Sequence, residues 1–214
     1  MGIRFYDEAI TNKIANWVKD TNLKILKPDE TTRLFELEAD KEKDKTLTLP
    51  LIAISRNRDI EILAPQKQPK TFDGFSLEKN INVSIPVNVI PIQIGYQIDI
   101  YTKGMAEADE YVRNFVFNFI NYPKLTIELP YNDLKFKHES IISLESSITD
   151  NSDIKEHLFA DQFIRFTIKI ALTDAYLFSL PVNDSAHFDS FAVKVVQTYY
   201  DAETKENKTE IVED

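Results

Sequence analysis

The sequence predicts an α+β fold: a mixed, mostly antiparallel sheet with two main helices packed on it and long polar loops. Two kinds of periodicity carry that reading. Residues 81–102 and 163–180 alternate apolar and polar positions as half-buried strands do, while residues 5–20 and 103–121 repeat apolar residues at helical spacing. With 214 residues, 43% hydrophobic and 28% charged, the chain is long enough and apolar enough for one sizeable core. Residues 1–200 read as a single α+β domain and 201–214 as an acidic C-terminal tail.

In "FYDEAITNKIANWVKD", Ile10, Ile14, Trp17 and Val18 fall on one stripe, so an amphipathic helix opens the chain. Leu34 to Ala39 then alternates as a strand and runs into the charged stretch "DKEKDK" at 40–45, the tip of an expected hairpin. "TLTLPLIAISR" and "DIEIL" follow as a buried strand and a shorter one. Residues 64–80 contain two prolines and no period, which predicts a long connection.

Ile81, Val83, Ile85, Val87 and Val89 alternate at odd positions, whereas Ile90, Ile92, Ile94, Tyr96, Ile98 and Ile100 alternate at even ones. A slip of one residue turns every side chain over, so a bulge or sharp bend is expected at Val89–Ile90, between Pro86 and Pro91. The second helix is expected to start after Thr102 as N-cap, with Glu107 in its first turn, and to stop before Pro123. Its apolar stripe is Ala108, Tyr111, Val112, Phe115, Phe119 and Ile120, widened by Val116 and Phe117. "KLTIELPY" is a short strand, 134–148 a mixed segment, and 163–180 a second long strand. "FAVKVVQTYY" supplies a last β segment. The tail, with six acidic and two basic residues, is expected to stay mobile unless a partner holds it.

Composition excludes some functions. A net charge of -10 opposes a sequence-independent grip on nucleic acid. No cysteine means no disulfide and no thiolate metal site. No apolar run reaches the roughly 18–20 residues of a membrane span, and the N-terminus lacks the pattern of a signal peptide, so a soluble product is expected.

No residue qualifies as catalytic, cofactor-binding or metal-binding. His138 precedes Glu139 but has no second histidine four residues on, so it reads as an ordinary polar loop residue. Asp184, His187 and Asp189 lie close enough in sequence to ligate a cation, yet a lone histidine among acidic loop residues is more often solvated. "DNSD" at 150–153 lacks the glycine and later ligands of a calcium loop and reads as a turn. With four glycines there is little material for a phosphate loop, and no nucleophile elbow places Ser, His and Asp together. The aromatics of the second helix read as core rather than as a platform for bases.

The stretch "YQIDIYTKGMAEADEYVRNFVFNFINYPKLTIELPYN" at 96–132, with its "QIDIY" strand, "EADEYVR" helix start and "P-x-L-x-I-x-L-P-Y" strand, resembles neck and tail-terminator proteins of tailed bacteriophages. It is closest in pattern to the sheath-terminator type of contractile tails. The opening "FYDEAITNKIANWVKD" is similar to the N-terminal helix of such proteins, so the resemblance spans about half the chain.

It implies a structural, non-enzymatic virion protein of the neck. Such a protein forms a ring, expected to be a hexamer, that ends the tail tube or sheath and joins it to the head connector. The implied partners are further copies of the chain, tube or sheath protein and connector proteins. DNA would pass through the ring without specific binding, and no membrane or cofactor is involved. Assembly would occur in the host cytoplasm. Another virion subunit, of connector or baseplate, is the alternative, followed by a monomeric α+β ligand-binding domain or enzyme, which would show a concave pocket with converging polar groups.

Overall fold

The computed structural model describes residues 2–18, 22–32, 48–76, 81–131, 134–152, 163–179, 195–201 and 206–212. Its elements in chain order are α1 (Ile3–Trp17), β1 (Lys24–Leu26), a short helical turn α2 at 28–32, β2 (Leu51–Ile62), β3 (Gln68–Ser76), β4 (Ile81–Thr102), α3 (Met105–Asn121), β5 (Lys124–Tyr131), β6 (Leu134–Asp150), β7 (Ile164–Phe178), β8 (Val195–Asp201) and β9 (Glu206–Val212). The α+β class holds: a seven-stranded sheet, antiparallel except for β1 on β2, carries both long helices. β8 and β9 form a separate two-stranded ribbon.

β4 organises the sheet. Its residues 92–101 pair with β2, 81–89 with β3, and 89–102 with β7 on the opposite side. β2 and β3 therefore follow one another along the same side of β4, joined by residues 63–67, with the Leu63 N–H bonded to the Pro91 C=O. β6 pairs with β3 at 134–136 and with β7 at 141–150, so β4, β3, β6 and β7 pair in a closed cycle. Closure removes edges; among the described residues β1 and β5 end the sheet.

The helices lie on one face over a single apolar cluster. Tyr6, Ile10 and Ile14 of α1 and Tyr111, Phe115 and Phe119 of α3 meet Ile92, Ile94, Tyr96, Ile98 and Ile100 of β4, Leu125, Ile127 and Leu129 of β5, and Ile168, Ile170 and Leu172 of β7. Trp17 locks the two helices edge-on to Phe119 at 4.8 Å, and Asn114 donates to the Trp17 carbonyl. On the other face a smaller cluster joins Leu26, Leu51, Ala53 and Tyr101.

Several expectations change. The segment 64–80 is not one long connection: 68–76 is β3, ordered by pairing with β4 although it has no period of its own. Its Pro69 sits opposite Asn88 where, among the described residues, β3 has no neighbour on its other side, a position that tolerates a strand proline. Residues 51–56 and 59–62 of the two segments expected as separate strands lie in one strand, β2, with an irregularity instead of a break.

The face change in β4 is present, since Val87 and Val89 are buried before it and Ile92 and Ile94 after it. Yet β4 pairs with β7 without interruption from Val89 to Ile92, so no bulge lies at Val89–Ile90. The extra residues are in the partners, 57–59 of β2 opposite Gly95 and Thr173–Asp174 of β7 opposite Gln93. The mixed segment 134–148 is the long strand β6, α3 starts after Gly104 and has no side-chain cap, and Ile120 leaves the apolar stripe with 63% exposure. Part of the tail, 206–212, pairs with β8. The expected strand at 34–39 and its charged tip at 40–45 lie outside the described residues.

Candidate functional site

Among the described residues three buried polar nodes fix the framework, and two surfaces on it are candidates for contact with a partner. The first node ties α1 to the sheet. Asp7 is buried on α1, where it accepts from the Tyr96 hydroxyl at 2.8 Å and pairs with Arg56 of β2. Burial pushes the Asp7 carboxyl above its usual range, against the pull of Tyr96 and Arg56, and burial likewise raises the Tyr96 phenol.

The second node surrounds the β7 bulge. Asp174 takes a positive φ of 57°, a left-handed conformation that Asp tolerates better than most residues. The bulge frees the Asp174 carbonyl from the ladder, and His138 Nε2 donates to it at 2.8 Å with Ser140 Oγ at 3.2 Å. The Tyr6 hydroxyl accepts from the Tyr176 N–H at 2.7 Å. Tyr6, Phe72, Tyr176 and Phe178 ring His138 at centroid distances of 5.0–6.2 Å. Burial lowers the His138 pKa to about 4, so the imidazole is neutral at pH 7. His138 is therefore a buried strand residue that satisfies a bulge, not the polar loop residue expected.

The third node lies on the face away from the helices. Asp99 accepts from Thr167 at 2.6 Å, Gln97 at 2.8 Å and Arg165 at 3.2 Å, and its side chain is 2% exposed. Nearby, Ser152 donates both its N–H and its hydroxyl to Asp150, which confirms the turn at 150–152 and holds that carboxyl below its usual range.

These nodes use up their polar groups in holding the fold. Among the described residues no three His, Asp or Glu side chains come together as metal ligands, and Asp184, His187 and Asp189 lie outside them. No described helix is long and apolar enough to cross a membrane.

The first open surface is the outer face of α3. Phe117 and Ile120 of α3 and Tyr122 just past its end are 61%, 63% and 61% exposed, although Phe115 and Phe119, on the inner side of the same helix, are buried. The breadth of the apolar stripe was visible in the sequence; which of its residues the sheet leaves uncovered was not.

The second is a groove of about 460 Å³ between α1 and β5. Phe5, Ala9, Leu125 and Ile127 contribute apolar lining, while Glu8, Lys13, Lys124 and Glu128 contribute charge. The Pro123 carbonyl accepts from Ile142 N–H of β6, so odd positions of β5 face β6 and the main chain of Lys124, Thr126 and Glu128 points outward. Lys13 takes the Lys124 carbonyl at 2.8 Å. Thr126 and Glu128 remain without a strand neighbour among the described residues.

No protein-family model and no curated protein matches the chain.

Proposed function

We propose that the chain is a structural subunit of a tailed-bacteriophage neck, non-enzymatic, which closes into a hexameric ring that ends the tail tube or sheath and meets the head connector. The observation that carries this reading is the outer face of α3. The strand-helix-strand unit bearing the terminator-like pattern exposes three large apolar side chains, Phe117, Ile120 and Tyr122, at its end. Phe117 and Ile120 are three residues apart and so neighbours on the helix surface, and exposed apolar patches mark contact surfaces. The groove beside β5 is a second and different surface, and head-to-tail packing around a ring requires two unlike surfaces on each subunit.

A connector or baseplate subunit would use the same two surfaces and differs in the neighbour it binds. A ligand-binding domain is favoured by the groove volume, which falls within the roughly 300–1,000 Å³ of small-molecule sites. Against it, the charges that line the groove are mixed in sign, Glu8 and Lys13 on α1 and Lys124 and Glu128 on β5, and mark no single ligand charge. Light scattering on the purified chain, alone and with tail tubes or sheath, tests the ring: six chains of 24.8 kDa give 6 × 24.8 = 148.8 kDa. A monomer under every condition refutes it.

A further inference from the structure

Among the described residues, the ribbon β8–β9 and the outward edge of β5 both have a side with no strand neighbour. A two-stranded ribbon alone is marginal in water and gains from a third strand. Among the described residues β8 and β9 pair with each other in a sheet of two, and β8 packs near β4 without pairing with it. β5 offers the outward N–H and C=O of Thr126 and Glu128 above an apolar floor. We infer that β9 of one copy adds to the β5 edge of a second copy, lying in the groove against α1, and that this strand addition is the ring's subunit contact. The inference rests on the ring reading for its neighbour.

The residue pattern of β9 favours it as the occupant. Alternate residues of a strand share a face. Asn207, Thr209 and Ile211 carry no charge and suit the side lined by Phe5, Ala9, Leu125 and Ile127. Glu206, Lys208 and Glu210 alternate in sign and suit the side of Lys124, Thr126 and Glu128. In an antiparallel register that sets Lys208 opposite Glu128, Glu210 falls opposite Thr126 and diagonal to Lys124. Both contacts then join unlike charges, the arrangement that favours cross-strand pairs. Main-chain hydrogen bonds along an edge with alternate side chains in a groove constitute a recurring mode of peptide recognition.

The absence of cysteine makes the test clean. Thr126→Cys and Glu210→Cys are prepared as separate proteins, mixed, and bridged with a short bismaleimide. The expected product is a covalent pair linking position 126 of one copy to position 210 of another, identified by mass spectrometry. A second variant, Thr126→Pro, removes an outward N–H that no described strand of the chain uses. It should keep the melting temperature while lowering crosslinking and assembly at least tenfold. Rings that form with no 126–210 link, or that tolerate Thr126→Pro, overturn the inference and leave the ring standing. Linked pairs without a 148.8 kDa species uphold strand addition and refute the hexamer.

Discussion

Acidification from pH 7 to 4 should destabilise this protein through His138. In the folded chain the imidazole sits among Tyr6, Phe72, Tyr176 and Phe178, and its pKa is lowered to about 4 from an ordinary value of 6.5. Desolvation is the main cause; the Lys70 ammonium adds to it, and the Asp174 carbonyl with the Asp174 and Glu139 carboxylates oppose it. The unfolded chain binds the proton near pH 6.5 and the folded chain resists it until about pH 4. Stability from this group is therefore fully present above pH 6.5 and is lost as pH falls across that window. At about 1.36 kcal/mol per pKa unit the full loss is about 3 kcal/mol, a large share of the roughly 5–15 kcal/mol that holds a typical domain.

The measurement is urea denaturation at fixed chain concentration from pH 7.5 to 4 for the wild type and His138→Gln, whose amide nitrogen can still donate to the Asp174 carbonyl without titrating. The wild type should lose about 3 kcal/mol more than the variant over that range. Asp7 works the other way. Its folded pKa is raised, so protonation near the lower end of the range favours the folded chain, and this contribution is common to both proteins. Equal slopes for the two proteins would refute a buried neutral His138.

Asp99→Ala should destabilise the chain by about 3–5 kcal/mol, because it leaves the Arg165 guanidinium, 12% exposed, without its carboxylate. Lys169→Ala, exposed on the same strand, should stay within about 0.5 kcal/mol, and thermal melts compare the two. Phe117→Glu with Ile120→Glu should leave the melting temperature nearly unchanged and abolish the ring in light scattering, since neither side chain contributes to the core. Deleting residues 201–214 removes β9 and should weaken assembly while the sheet of β1–β7 melts as before; unfolding of the whole domain would make the segment part of the core.

The long periodic segments were legible because one face of each is apolar throughout. α1, α3, β5, β7 and the two halves of β4 all appear where alternation or helical spacing predicted them. β3 and β6 were not legible, for physical reasons that differ. β3 takes its order from the ladder it forms with β4, a non-local pairing that leaves no period in the segment itself. β6 alternates, but its inward positions run Phe136, His138, Ser140, Ile142, and two of the four are polar. Those two bind the carbonyl freed by the Asp174 bulge on β7. A sequence window sees a broken apolar pattern where the fold has a satisfied hydrogen bond 36 residues away. The open surfaces were only half legible: apolar breadth in α3 was evident, but the exposure of Phe117 and Ile120 depends on how far the sheet reaches.

Charge decides what a ring of this chain does to DNA. Six copies carry a formal 6 × (-10) = -60. Screening confines repulsion to about 8–10 Å at physiological to moderate salt, so only carboxylates facing a channel act on DNA within it. If the lumen carries a fair share of them, phosphates meet like charge on every side and slide without capture. If the acidic residues face outward, they serve solubility instead. Duplex binding separates these states from a gripping connector. An assembled ring should show no appreciable affinity for duplex DNA even at low salt, where counterion release makes phosphate contacts strongest. Tight binding that weakens steeply with added salt would place Lys and Arg at the channel, and the chain would then hold DNA where we expect it to let DNA pass.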